Sequence, residues 1–151
     1  MIHMGSGRFT RLAIRVLDSV ARLAPQQKKA DHLVTGQHGE EEAYFYLREC
    51  GYVIVGRNFR SPRRRGEIDL IGWEGDVLCF IEVKTRTSRA VMPAEAAVDE
   101  AKQRELVAVA REYLRPLAGK PAARFDILSI YLDRGGCSPQ ITLFRNAFSM
   151  Q

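Results

Sequence analysis

Two short apolar runs with charges set inside them constrain this chain more than any other feature: Gly66-Glu-Ile-Asp-Leu-Ile71 and Val77-Leu-Cys-Phe-Ile-Glu-Val-Lys84. Val77 to Ile81 together with Val83 predict a strand packed on both faces, and Glu82 and Lys84 interrupt it. An unpaired ion in such a strand costs several kcal/mol, so partners or a metal must compensate. Side chains alternate along a strand, so Glu82 and Lys84 share one face, as do Glu67 and Asp69. A tight turn near Glu74, Gly75 and Asp76 lays the two strands antiparallel and brings Asp69 close to Glu82. Two carboxylates and a lysine then converge on one patch.

Two readings of that patch compete. In the first, Lys84 forms a buried salt bridge with Asp69 or Glu82 that merely holds the hairpin. In the second, the patch is a metal-dependent phosphodiester-cleaving site. Two carboxylates within a few ångströms repel, and a hard divalent cation relieves the repulsion. Mg2+ (or Mn2+) takes oxygen ligands and keeps waters, so one or two carboxylates plus a substrate phosphate suffice. A lysine alongside can orient the attacking water or neutralise developing charge. Asp69 at hairpin distance, and Glu67 two residues before it, lift the second reading level with the first.

The wider pattern resembles a known family. Gly66-Glu-Ile-Asp-Leu-Ile71 followed by Phe80-Ile-Glu-Val-Lys84-Thr-Arg86 is similar to the signature of the bacterial UPF0102 family. So are Gly36-x-x-Gly39-Glu40-x-x-Ala43-x-x-Tyr46-Leu47, Gly51-Tyr52 and Arg57-Asn58-x-Arg60 upstream, and Lys102 and Arg124-Phe125-Asp126-Ile127 downstream. The resemblance runs from about Gly36 to Leu132. That family is similar to restriction-endonuclease-like PD-(D/E)xK nucleases, and especially to archaeal Holliday-junction resolvases. The resemblance implies a three-layer α/β domain with a mixed central sheet flanked by helices. It also implies Asp69, Glu82 and Lys84 as the motif's Asp, Glu and Lys, Asp69 and Glu82 binding metal. Glu40, on the first core helix, matches the additional acid of many members, and Ile68 stands where the motif's proline would be.

Composition limits the alternatives. The 151 residues carry 46% hydrophobic and 27% charged side chains, as in an ordinary globular protein. Cys50, Cys79 and Cys137 are widely spaced, with no Cys-x-x-Cys pair, which argues against a disulfide framework or thiolate zinc site and for a cytoplasmic setting. No apolar run is long enough for a membrane span. The net charge of +5 is carried by residues 1–30, and the remainder balances. One local excess stands out: Arg57, Arg60, Arg63, Arg64 and Arg65 immediately precede Gly66. They predict a guanidinium-rich loop that holds a phosphodiester backbone, the alternative being a solvated loop kept polar against edge pairing.

Along the chain, residues 1–30 read as a basic amphipathic extension, with a helix from about Thr10 to Ala24 that docks on the core or on a second subunit, the alternatives being an interfacial membrane helix and a non-native extended start. Residues 31–151 read as the nuclease-like domain. Asp31 or Thr35 caps a helix running to Cys50, in which Glu41 and Glu42 default to solvated surface, and Gly51 closes it. Strands open at Tyr52–Val55, at Gly66 and at Val77. Ser88 to Pro93 predicts a mobile loop and Ala94 to Leu114 a helix. Arg124–Leu132 predicts an alternating strand, and a Gly135-Gly136 turn leads to Gln140–Phe144. Lys102 and Gln103 read as exposed helix residues, and His32 and His38 as surface. This α-β-β-β-α-β-β order predicts a layered α/β fold. The expected function is a Mg2+-dependent DNA nuclease, plausible substrates including branched DNA, with Glu67 behind the metal ligands. The alternative is a nucleic-acid-binding protein of that fold with little turnover. A junction-cutting enzyme needs two equivalent sites, so a homodimer is a corollary.

Overall fold

Residues 31–87, 98–132 and 138–150 are described by a computed structural model, in which Thr35–Gln151 form a compact unit. The expected Thr10–Ala24 helix, Ser88–Pro93 loop and Gly135-Gly136 turn lie outside the described residues. Helix α1 (Asp31–Glu49) ends where Gly51 takes φ 92, which a residue with a Cβ adopts only under strain. There the Gly51 and Tyr52 N–H groups return to the Arg48 and Leu47 carbonyls at 3.1 and 2.9 Å. Three strands follow: β1 (Val53–Arg60), β2 (Glu67–Glu74) and β3 (Val77–Arg86). Helix α2 (Glu100–Leu114), β4 (Ala123–Tyr131) and β5 (Gln140–Phe148) complete the order.

The five strands lie in chain order across one sheet. All neighbours are antiparallel except β3 and β4, which run parallel because α2 returns the chain to the same end. The expected hairpin is present: Glu74 pairs with Val77 around Gly75, and Leu70 with Ile81. One sheet face packs on Ala43 and Leu47 of α1, through Leu70, Cys79, Ile81, Leu128 and Ile130. The other packs on Leu106, Val109 and Ala110 of α2, through Ile68, Ile71, Phe80, Phe125 and Ile127. The result is a three-layer α/β fold, as expected. Helix α1 sits so near β3 that a Cβ on Gly39 would fall 1.8 Å from Thr85 Oγ1. Glycine there lets the helix that carries Glu40 approach the strand that carries Glu82.

Several boundaries move. Strand β1 runs to Arg60 rather than stopping near Val55, so Arg57 and Arg60 are strand residues and only Arg63–Arg65 occupy the connecting turn. Helix α2 begins at Glu100, with Asp99 as its N-cap, extended in backbone, its carboxylate accepting the Lys102 N–H at 2.8 Å; the expected start at Ala94 lies outside the described residues. Strand β4 does not alternate. Phe125, Asp126, Ile127, Leu128 and Ile130 are all buried, because this strand lies inside the sheet between two helical layers.

Candidate active site

The β2–β3 ladder ends at the Leu70–Ile81 pair. Beyond it the Asp69 carboxylate, rather than a backbone carbonyl, accepts the Val83 N–H, at 2.7 Å from Oδ2. The site therefore forms where the hairpin opens. Glu82, 5% exposed, receives Lys84 Nζ on Oε1 at 2.7 Å. Its other oxygen, Oε2, is buried and has no partner among the described residues. Such an oxygen costs about 1–3 kcal/mol or more unless something fills the place.

The electrostatics match. Burial, then the neighbouring Glu82 and Glu40 charges, raise the Asp69 carboxyl to about 7, against the Val83 N–H and Lys102, which pull it down. Glu40 is raised as well, first by burial and then by Glu67 and Glu82, while the Asn58 side chain and Arg57 hold it down. Glu67 is held by the Arg60 guanidinium, whose Nε lies 2.6 Å from Oε2. Glu40 and Asp69 thus sit beside Glu67 and Glu82 in an acidic field, where burial and like charges both work against the ionisation of Glu40 and Asp69.

Lys102 belongs here too. Sequence reasoning places it on an exposed helix surface, yet its Nζ is 3.7 Å from Glu82 Oε1. The missed signal is the Asp99 cap, which fixes the helix phase and turns Lys102 toward the sheet. Glu41 differs from expectation as well: it is half-buried, and its Oε1 is enclosed with no partner. His38 is exposed on α1, as expected of a surface residue.

Among the described residues, no three His, Cys, Asp or Glu side chains are gathered into a group that would hold a metal unaided. The donor set still suits a hard cation. Asp69 and Glu82 offer oxygen ligands, Glu82 Oε2 is unpartnered, and a positive charge between them would offset the repulsion that raises Asp69.

Four of the five arginines divide into two groups, and Arg65 is exposed in the turn beside them. Arg57 stacks over the Tyr44 ring, with Cζ 4.9 Å from its centroid, and Arg60 pairs with Glu67. Arg63 and Arg64 instead approach Glu112 of α2, at 3.6 and 3.8 Å. A second ionic cluster, unforeseen in the sequence, lies at the turn end of the hairpin. Asp126, fully buried, accepts hydrogen bonds from Arg124 on both oxygens, from the Tyr52 hydroxyl at 3.2 Å and from the Asn146 N–H at 2.9 Å. Glu74 joins Arg124 to Arg145, and these guanidiniums hold its carboxyl below the usual range. No described helix is long and apolar enough to cross a membrane.

Comparison with known proteins agrees with the motif reading. The model of the family described as "Uncharacterised protein family UPF0102" matches residues 39–130, from within α1 through β1, the hairpin and α2 to most of β4. A UPF0102 protein of Koribacter versatilis is 53% identical over 140 residues, covering 93% of this chain and 94% of the relative. One from Solibacter usitatus is 45% identical over 114 residues, 75% of this chain and 84% of the relative. Another, from Rhodococcus jostii, is 45% identical over 121 residues, 79% and 99%. With both charged motifs inside the matched span and relatives aligned over most of its length, the chain belongs to the UPF0102 family.

Proposed function

We propose that this protein is a metal-dependent nuclease acting on DNA, branched structures such as Holliday junctions included. The observation that carries the reading is the unpartnered, buried Glu82 Oε2 beside an Asp69 raised to about 7. A pair that only held the hairpin would have its oxygens satisfied. Asp69 and Glu82 are the groups that would hold Mg2+ or Mn2+, with water and a substrate phosphate completing the shell. When bound, the ion supplies an activated water and offsets charge on the phosphate oxygens.

The chain's own residues do the rest. Lys84, fixed by Glu82 at 2.7 Å, presents an ammonium that orients the attacking water or neutralises charge as it develops. Lys102 adds a second positive charge on the α2 side of Glu82. Glu40 retains a proton more readily than an ordinary glutamate, which suits a group that exchanges protons with water at the site. Glu67 stands behind Glu40 and tunes it by charge. Arg57 to Arg65 hold the backbone.

The second reading, a nucleic-acid-binding protein with little turnover, is favoured by one observation. Both lysines already lean on Glu82 Oε1, and the described residues gather no three-ligand metal group. A cleavage assay with Mg2+ and Mn2+ on linear, single-stranded and four-way-junction DNA separates them. Metal-dependent cutting that Asp69→Asn and Glu82→Gln each abolish, with folding and DNA binding retained, is expected. Binding without cutting on any substrate moves the assignment to the second reading.

A further inference from the structure

Helix α2 runs on past the acidic centre and carries a second group of charges. Lys102 stands at Glu82. Farther along, Gly66 lies against Glu105 and Val109, where a Cβ on it would meet their side chains at 3.5 and 3.6 Å. Beyond that, Glu112 gathers Arg63, Arg64 and, from the helix's own end, Arg115 at 3.4 Å. Positions 102, 105, 109 and 112 fall on one helix stripe. The arginine turn is therefore laid along α2 and pinned to it, starting from the acidic centre.

Three guanidiniums on one carboxylate exceed what pairing requires. Cations do stabilise a helix C-terminus, but one would balance Glu112. Arg63, Arg64 and Arg115 remain 65%, 55% and 65% exposed, against 18% for Glu112. Glu112 thus serves as a peg that fixes the positions of cations whose outer faces stay open to another anion. From Lys102 to Arg115 the helix advances about 20 Å, a length spanned by roughly six phosphates of one duplex strand.

The surface suits a duplex better than a single strand. Single-strand binding relies on exposed aromatic platforms for the bases. Among the described residues the large exposed hydrophobics are Val53, Val55 and Leu117. Tyr113, on the same helix, is committed to edge contacts with Phe59 and Phe80.

We propose that this flank of α2 is a duplex track: a double-stranded arm of the DNA lies along α2 with its phosphates on Arg63, Arg64 and Arg115. The track's direction from the scissile site rests on the nuclease reading, but its existence does not. The test is binding without divalent metal, by fluorescence anisotropy of the full chain against a labelled duplex of about 15 base pairs, a hairpin with a stem of about 4, and a single strand, across salt. Arg63→Ala/Arg64→Ala is compared with the charge-matched Arg48→Ala/Arg104→Ala, since Arg48 and Arg104 are both exposed, Arg48 on α1 and Arg104 off the 102, 105, 109 and 112 stripe of α2.

The long duplex should bind tightest. Its log–log salt slope should fall by about 2 in the Arg63/Arg64 variant, with affinity down about tenfold or more, while the charge-matched variant stays close to the unmodified protein. The stem of about 4 base pairs should bind more weakly than the long duplex, because at about 3.4 Å per base pair it covers only part of the track. Equal losses in both variants, or tighter binding of the single strand, overturn the track. Loss of cleavage with this binding pattern intact would count against the nuclease reading alone.

Discussion

The β2–β3 hairpin carries an ionic cluster at each end, and the two are built on opposite terms. At the turn end, both Asp126 oxygens are occupied, by Arg124, Tyr52 and the Asn146 N–H, and Glu74 is shared by two guanidiniums. At the open end, acids outnumber their partners. Glu82 leaves Oε2 unpartnered, and Asp69 is raised by burial and by its acidic neighbours. A buried charge that is fully bonded serves packing, whereas one left short calls for a reason of its own, which under the proposed function is a bound cation. If that contrast is right, removing charge should harm the first cluster and relieve the second.

The largest effect is expected at the satisfied end. Asp126→Ala leaves Arg124, whose side chain is only 18% exposed, with Glu74 as its one remaining carboxylate among the described residues and frees the Tyr52 hydroxyl and the Asn146 N–H. Breaking a buried pair in this way costs about 3–5 kcal/mol, readable as a drop in the urea midpoint. Glu82→Gln, by contrast, should lie near neutral at the same pH. Similar losses in the two variants would erase the distinction.

Next comes the pH dependence of Asp69, in EDTA. Its folded-state carboxyl titrates near 7 against an ordinary 3.8. Between those values the folded chain keeps a proton that the unfolded chain releases, so stability is fully present below about 4 and lost as pH rises through about 7. Asp69→Asn keeps an oxygen for the Val83 N–H but cannot lose that stability. It should be more stable than the unmodified protein by about 2–4 kcal/mol at pH 8, with the gap closing toward pH 4. A gap that stays constant across this range would mean that Asp69 is not strained by its neighbours.

A smaller effect is expected from metal. Mn2+ should raise the melting temperature of the unmodified protein at pH 8 by an amount equivalent to about 1–3 kcal/mol at saturating concentrations. Asp69→Asn and Glu82→Gln should each remove that gain. An Mn2+ gain that survives both substitutions would place any metal elsewhere.

How far the sequence anticipates all this differs between the two ends. The open end is legible because Asp69, Glu82 and Lys84 interrupt apolar runs, and a two-residue turn fixes their register. The strands that frame it are legible for the same reason. The satisfied end is not, because Glu74, Arg124, Asp126 and Arg145 come from β2, β4 and β5, and only the sheet order brings them together. Asp126 in particular reads as the outward position of an alternating strand until β5 and α1 are seen to cover that region. Lys102 stays hidden because its direction depends on where α2 begins. Without Asp99 as the cap, the pattern of small apolar residues allows the helix to start a turn and a half earlier. The arginines form one group in sequence and two in space, since β1 extends through Arg60 and leaves only Arg63–Arg65 to the turn.

The smallest expected effect concerns Glu67, which stands between the two styles of cluster: paired like one end, crowded by acids like the other. Its partner Arg60 has a side chain 75% exposed, so their ion pair contributes about 0–1 kcal/mol. Removing the charge also removes a repulsion, because Glu67 is, after burial, the largest influence raising Glu40. The two changes oppose each other, and Glu67→Gln should alter stability by less than about 0.5 kcal/mol. The informative readout is therefore the Glu40 carboxyl itself, followed by carbon NMR across pH. With Glu67 neutral its titration should move down, toward the ordinary glutamate value. A midpoint that stays put would uncouple Glu67 from Glu40 and make it a surface ion-pair residue. A midpoint that rises would mean that Glu67 keeps Arg60 or Arg57 close enough to Glu40 for the lost cation to outweigh the lost repulsion.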